Sequence, residues 1–187
     1  MREMQLQHAE ELSAMELRRL MELYGEDIWN YAYVITRNKH TADDVAQDVF
    51  IKAYQHYGTF RGESSLKTWL MKITRNTAIS YQKQAFLRKV MLIGERSVTY
   101  RLDGSDRGIT SPSAESEFLY QEVTDEIWRI VLELPGKFRD PLVLSVHYQL
   151  SIEEISAVMG LSPGTVKSRI HRAKKKVAAQ MEGSERI

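Results

Sequence analysis

LSIEEISAVMGLSPGTVKSRIHRAKKKV, residues 150–177, is the stretch whose reading decides the fold class. Ser151-Ile152-Glu153-Glu154 has the spacing of a capping box, in which a serine and the acid three positions later close each other's end of a starting helix. Ile152, Ile155 and Met159 then share one face. Gly160-Leu161-Ser162 makes a turn, Ser162 is a good N-cap, and Pro163 stands at the first helical position, where its missing N–H costs nothing. A short helix, a three-residue turn with glycine and a second helix are the parts of a helix-turn-helix unit. At about 100° per residue, Val166, Ile170, Ala173 and Val177 form the buried stripe of that second helix. Opposite lie Gly164, Ser168, His171, Arg172 and Lys175, flanked by Thr165, Lys167, Arg169, Lys174 and Lys176. Such a polar, basic face suits a reader of the DNA major groove: central side chains reach base edges and flanking cations neutralise phosphates. An ordinary basic surface helix would share the charge, but not the coincidence of cap, turn and charge.

The rest of the chain looks helical too. It has 187 residues, only 4 prolines, and apolar residues that follow three- and four-residue steps. A first helix is expected from Ser13 to Thr36, with Leu17, Leu20, Met21, Tyr24, Ile28 and Ala32 inward. Thr41-Ala42-Asp43-Asp44 fits a capping box for a second helix reaching about Tyr57, with Ala42, Val45, Ala46, Val49, Ala53 and Tyr57 inward. Pointing away are Asp44, Gln47, Asp48, Ile51 and Gln55, an acidic face with an exposed isoleucine, as fits a protein partner of basic character. Gly58–Ser65 reads as a loop, and Ser64 or Ser65 can cap a third helix from Leu66 to about Arg88. There Leu66, Trp69, Leu70, Ile73 and Thr77 are expected inward, and Thr68, Lys72, Arg75, Ile79 and Lys83 outward.

Leu102–Ser113 (LDGSDRGITSPS) has no periodicity and the composition of a linker. Helical spacing resumes near Ser116, breaks at Pro135-Gly136, and returns around Arg139–Tyr148, where Pro141 is tolerated only in a first turn. The expectation is an all-α chain of two small helical domains, 13–90 and 116–187, joined by a flexible linker over 91–115 and preceded by an extension, 1–12.

Charge sharpens this. The net value of +1 argues at first against a nucleic-acid partner. By segment it is a cancellation: 6 basic and 10 acidic side chains in 1–60, 7 and 1 in 61–89, 6 and 12 in 90–160, 7 and 2 in 161–187. Each half thus ends in a basic block. Phe60, Arg61, Ser64, Ser65, Lys67 and Trp69 bring aromatic, hydroxyl and cationic groups together, a set able to stack on an unpaired base and hold its backbone. Trp69 by itself reads more readily as core.

Catalytic and cofactor chemistry finds no support. The absence of cysteine excludes disulfides, thiolate metal sites and a cysteine nucleophile. The five histidines lack ligand spacing, and there is no phosphate-cradling glycine loop, so no cofactor or metal is expected. No apolar run approaches the roughly 18 residues of a membrane span, and no signal-peptide pattern opens the chain.

Residues 150–177, with the lead-in LPGKFRDPLVL, resemble region four of the sigma factors of bacterial RNA polymerase, particularly the extracytoplasmic-function (ECF) group; GTVKSRIHRA is the most specific part. ADDVAQDVFIKAY resembles the part of region two that docks on the polymerase clamp coiled coil. TFRGESSLKTWLMKITRNTAIS resembles the loop and helix that open and read the −10 promoter element. The resemblance covers most of the chain in the right order. It implies docking on core polymerase through Asp43, Asp44, Gln47, Asp48, Ile51 and Gln55. It also implies capture of the −10 strand by Phe60, Arg61, Ser64, Ser65, Lys67, Thr68, Trp69, Lys72, Arg75, Asn76, Ile79 and Lys83. Reading of the −35 duplex falls to Ser162, Gly164, Thr165, Lys167, Ser168, Arg169, His171, Arg172 and Lys175. Cytoplasmic location and an anti-sigma partner, often membrane-anchored, are further implications. One departure stands out: after Asn76 the family pattern continues with an acidic residue and several cations, whereas Ser80-Tyr81-Gln82-Lys83-Gln84 is weakly charged. The competing reading is a two-domain helix-turn-helix regulator that is no polymerase subunit, which would need a ligand pocket or palindromic half-sites.

Overall fold

The computed structural model describes residues 12–93 and 125–184, and these form seven α-helices and a 3-10 turn, with no strand among them. They fall into two compact units, each described by itself. The first three residues of the expected linker, 91–93, are helical; the rest of it and the apolar positions 116–124 lie outside the described residues.

In the first unit, α1 (Ala14–Thr36) starts at a complete capping box: the Ser13 N–H donates to Glu16 Oε2 at 2.9 Å, and the Glu16 N–H to Ser13 Oγ at 3.2 Å. Leu12, just before the cap, is only 2% exposed, so the last residue of the expected extension is part of the core. Arg37 closes α1 in the left-handed conformation, φ 57°. Helix α2 (Lys39–His56) begins earlier than the Thr41 box predicts. Its cap is Asn38, whose Oδ1 accepts from the Thr41 N–H at 2.9 Å and from its hydroxyl at 3.1 Å, which makes Thr41 a third-position residue. A short 3-10 turn (Tyr57–Thr59) leads into the loop, and α3 (Leu66–Ile93) runs five residues beyond the expected Arg88.

The three helices pack on one another around Ile28, Tyr31, Val45, Val49, Leu70 and Met71, all fully buried. The face that helix α3 turns inward overlaps only in part with the one periodicity selects. Leu70 and Thr77 are buried as expected, but so are Thr68, Met71, Thr74 and Ala78, while Trp69 and Ile73 are only half-buried, so the buried face is shifted toward Thr68, Met71 and Thr74. Threonines are the cause. The Thr74 hydroxyl donates to the Leu70 carbonyl one turn back at 2.8 Å, which hides its polar group and leaves its methyl to pack.

The second unit comprises α4 (Asp125–Glu133), α5 (Gly136–Val146), α6 (Ile152–Met159) and α7 (Pro163–Ser184), with α4 and α5 both against α7. Helix α5 starts three residues before the expected Arg139, so Pro141 lies inside it rather than in its first turn. Pro141 is buried there, and the N–H it lacks would have met the carbonyl of Lys137, one turn back. The start moves because Pro135 accepts from the N–H groups of Phe138 and Arg139 at 2.8 and 3.0 Å. Arg139 itself is buried: its guanidinium donates to the carbonyls of Leu132 (3.0 Å) and Leu134 (3.4 Å) and faces the equally buried Asp140 at 3.9 Å. A cation thus closes the carbonyl end of α4.

Between α6 and α7, Gly160 takes φ +65°, where a Cβ would meet nothing within 4 Å. Gly160→Ala is therefore expected to cost backbone strain alone, about 1 kcal/mol, read as a drop in thermal midpoint of roughly 4–8 °C without loss of helicity.

Candidate nucleic-acid interface

The helix-turn-helix forms from the caps upward. The Ser151 N–H donates to Glu154 Oε2 (2.9 Å) and the Glu154 N–H to Ser151 Oγ (3.2 Å), so the second capping box is complete. Ser162 caps α7: the Thr165 N–H donates to its Oγ at 3.3 Å, and the two hydroxyls lie 2.9 Å apart. Val166, Ile170 and Ala173 are buried, as are Ile155 and Val158 of the preceding helix, and Val177 is half-buried. Ser162, Gly164, Lys167, Ser168, His171, Arg172 and Lys175 are exposed, while Thr165 and Arg169 are half-buried at the margin. Lys176, on the flank, sits 5.8 Å above the Phe138 ring, close enough for cation–π attraction.

In the first unit the loop carries an aromatic cluster. Phe60 and Trp69 rings are 5.4 Å apart, and Tyr57 stands 6.3 Å from Phe60 and 6.4 Å edge-on to Trp69. Tyr57 went unassigned in sequence, where it reads as a core position. Phe60 and Trp69 are half-buried, so they present an edge as well as supporting the loop; Arg61 beside them is exposed, and Gly62 takes φ 69°. Ser65 is the cap of α3: the Thr68 N–H donates to its Oγ at 3.1 Å, and its hydroxyl lies 2.7 Å from that of Thr68.

Thr68 is a correction. It is 2% exposed and turned inward, so it belongs to the scaffold and not to an outward stripe. Lys67 is half-committed as well, with Nζ 3.0 Å from Asp27 Oδ2 of α1. Lys72, Asn76 and Lys83 are exposed; Arg75 and Ile79 are half-buried.

The acidic helix divides in the same manner. Asp44, Gln47 and Gln55 are exposed, Ile51 is 54% exposed, and Tyr54, which periodicity passed over, is 49% exposed beside them. Asp43 accepts from Trp29 Nε1 at 2.6 Å, and that indole stacks on Tyr33 with rings 5.6 Å apart and nearly parallel. Asp48 accepts from the Tyr81 hydroxyl at 2.9 Å. That bond to the carboxylate, then burial, then the negative charges of Asp48 and Asp44, hold the Tyr81 phenol above its ordinary range. Gln82 also reaches across, its Nε2 donating to the Ile35 carbonyl of α1 at 2.6 Å. The weakly charged Ser80–Gln84 segment therefore ties α3 to its neighbours. Sequence could not show this, because the partners lie 33 and 47 residues away.

Among the described residues, no group of His, Asp and Glu could hold a metal ion, and no helix is long and apolar enough to cross a membrane.

Residues 20–86 match the family model of Sigma-70 region 2, and residues 124–177 that of Sigma-70, region 4. The chain is 31% identical over 166 residues to the RNA polymerase sigma factor YlaC of Bacillus subtilis (strain 168), covering 88% of this chain and 91% of that one. It is 35% identical to the ECF RNA polymerase sigma-E factor of Escherichia coli (strain K12), over 72% of this chain and 70% of the relative. Among solved structures, the sigma factor RpoE in complex with the anti-sigma factor NepR from Bartonella quintana has the same fold, with a TM-score of 0.66 at 21% identity, covering 89% of this chain and 97% of that one. The chain belongs to the sigma-70 family as a sigma factor of its ECF group.

Proposed function

We propose that this sigma factor binds core RNA polymerase and directs promoter-specific initiation, reading the −35 element as duplex with α7 and the −10 element as a melted strand with the 58–65 loop and α3. The observation that carries the reading is the exposed row Gly164, Ser168, His171, Arg172 and Lys175, set opposite the buried Val166, Ile170 and Ala173 on a helix capped by Ser162. In that arrangement Ser168, His171, Arg172 and Lys175 stand nearest the bases, and Lys167 and Arg169 serve phosphates. In the first unit, the Phe60–Trp69 edge and Arg61 take flipped bases, with Lys72, Asn76 and Lys83 along the backbone. Residues 13–90 and 116–187 are the two working domains. No cofactor is needed, because melting is driven by binding and the chemistry belongs to the polymerase.

Docking on core uses Asp44, Gln47, Ile51 and Gln55, joined by Tyr54 and by whichever oxygens Asp43 and Asp48 have left. An anti-sigma protein is a further proposed partner, supported by the complex of the relative from Bartonella quintana. The chain works in the bacterial cytoplasm, and any membrane retention comes through that inhibitor. A stand-alone helix-turn-helix regulator is favoured less: the groove of about 430 Å³ between Trp128, Val143, Val146 and Met181 opens on the DNA-reading unit, not on the half where a sensor would sit.

Run-off transcription with purified bacterial core polymerase tests the reading. Initiation at defined promoters only when the chain is added supports it; no stimulation at any promoter overturns it. Arg172→Ala should then lower initiation by about 1–3 kcal/mol equivalent at some −35 sequences and spare others, as a bidentate base contact requires. An equal loss on every sequence would reduce Arg172 to a phosphate contact.

A further inference from the structure

Helices α2 and α3 meet along a polar seam. Lys52 Nζ donates to Thr77 Oγ1 at 3.0 Å, and the Tyr81 hydroxyl donates to Asp48 Oδ2 at 2.9 Å. Asp48 and Lys52 are one turn apart on α2, and Thr77 and Tyr81 one turn apart on α3, so the two bonds are successive rungs between antiparallel helices. Thr77 is buried, and Lys52, Asp48 and Tyr81 are half-buried. Hydrogen bonds add direction, because each is satisfied at one rotation and one register only.

The upper rung touches the acidic face. Asp48 shares its side of α2 with the exposed Asp44 and Ile51, and one of its carboxylate oxygens is fixed by a phenol from α3. A carboxylate on a helix surface otherwise samples several rotamers, and ordering it on binding carries an entropic cost. We propose that Tyr81 is a positioning residue for polymerase docking: its hydroxyl locks the Asp48 carboxylate in one rotamer, leaving the other oxygen aimed at a cationic group of the polymerase. This rests on the docking face proposed above and adds to it a residue from the DNA-facing helix. The Gln82 bond to the Ile35 carbonyl holds α3 at the same level and keeps the phenol in place.

The experiment is a double-mutant cycle on the full chain, read as equilibrium affinity for purified core polymerase, with Tyr81→Phe, Asp48→Ala and the pair. Tyr81→Phe keeps the ring and removes only the hydroxyl, so circular dichroism and the thermal midpoint report whether the fold is intact. The expected result is a loss of about 5–10-fold for Tyr81→Phe, a larger loss for Asp48→Ala, and no further loss when the two are combined. A merely structural role would persist in the Asp48→Ala background, so losses that multiply in the double variant overturn the proposal. Unchanged affinity of Tyr81→Phe beside a weakened Asp48→Ala overturns it too, while leaving the docking face standing. Unchanged affinity of Asp48→Ala removes Asp48 from the docking face, and the proposal with it.

Discussion

Asp44→Lys combined with Ile51→Asp should lower affinity for core polymerase by at least about a hundredfold, on the order of 3 kcal/mol, with helicity and thermal midpoint unchanged. The two side chains are exposed on the same side of α2 and take no part in the core, so the fold has little to lose. At an interface they would act differently. A lysine in place of Asp44 sets like charges against the basic partner that an acidic face implies, which costs both encounter rate and bound-state energy. An aspartate in place of Ile51 brings a charge into what should be the drier centre of the contact. Pull-down and competition binding against a labelled wild-type chain measure the loss. Retained binding would show that this face is ordinary solvated surface.

Arg139→Ala should destabilise the C-terminal unit by about 3 kcal/mol or more, a fall in its thermal midpoint of roughly 12–24 °C. The substitution strips the carbonyls of Leu132 and Leu134 of their donor and strands the buried Asp140 without its neighbouring cation. A unit of this size has only a few kcal/mol in hand, so it should unfold at temperatures the parent tolerates, and under the proposed function −35-dependent initiation should be lost with it. Replacing both members, Arg139→Met with Asp140→Leu, should recover about half of the loss, since an uncompensated buried charge is worse than none. If Arg139→Ala melts like the parent, Arg139 contributes no more than an exposed pair would.

Both predictions involve residues that one-dimensional reading treats unevenly. The helix-turn-helix was legible almost residue by residue, because its caps, its glycine and its apolar stripe are all local, within four positions of each other. Ser151, Glu154, Ser162 and Val166 stand as the periodicity requires. Periodicity failed where polar side chains are buried. Thr68 and Thr74 have small methyls to pack and hydroxyls that find nearby partners, so they enter the core while Trp69, expected there, is only half-buried. Arg139 and Asp140 look like surface by composition and are inside. Tyr81 and Gln82 acquire their meaning only from distant partners, and a segment that seemed merely short of charge turns out to brace the domain. Asn38 takes the cap from Thr41 for a simpler reason: asparagine is the stronger N-cap, and it stands three positions earlier.

On α7, the residues that make the helix and those that face outward are almost disjoint sets. Ser162 and Pro163 start it, Val166, Ile170 and Ala173 anchor it, and Gly164, His171, Arg172 and Lys175 are left with neither duty. Substitutions there should change stability by no more than about 0.5 kcal/mol. Evolution, or an engineer, can therefore rewrite what such a helix prefers without first having to repair how it folds. A lineage of copies could diverge in target while sharing one scaffold, each new specificity only a few surface mutations from the last.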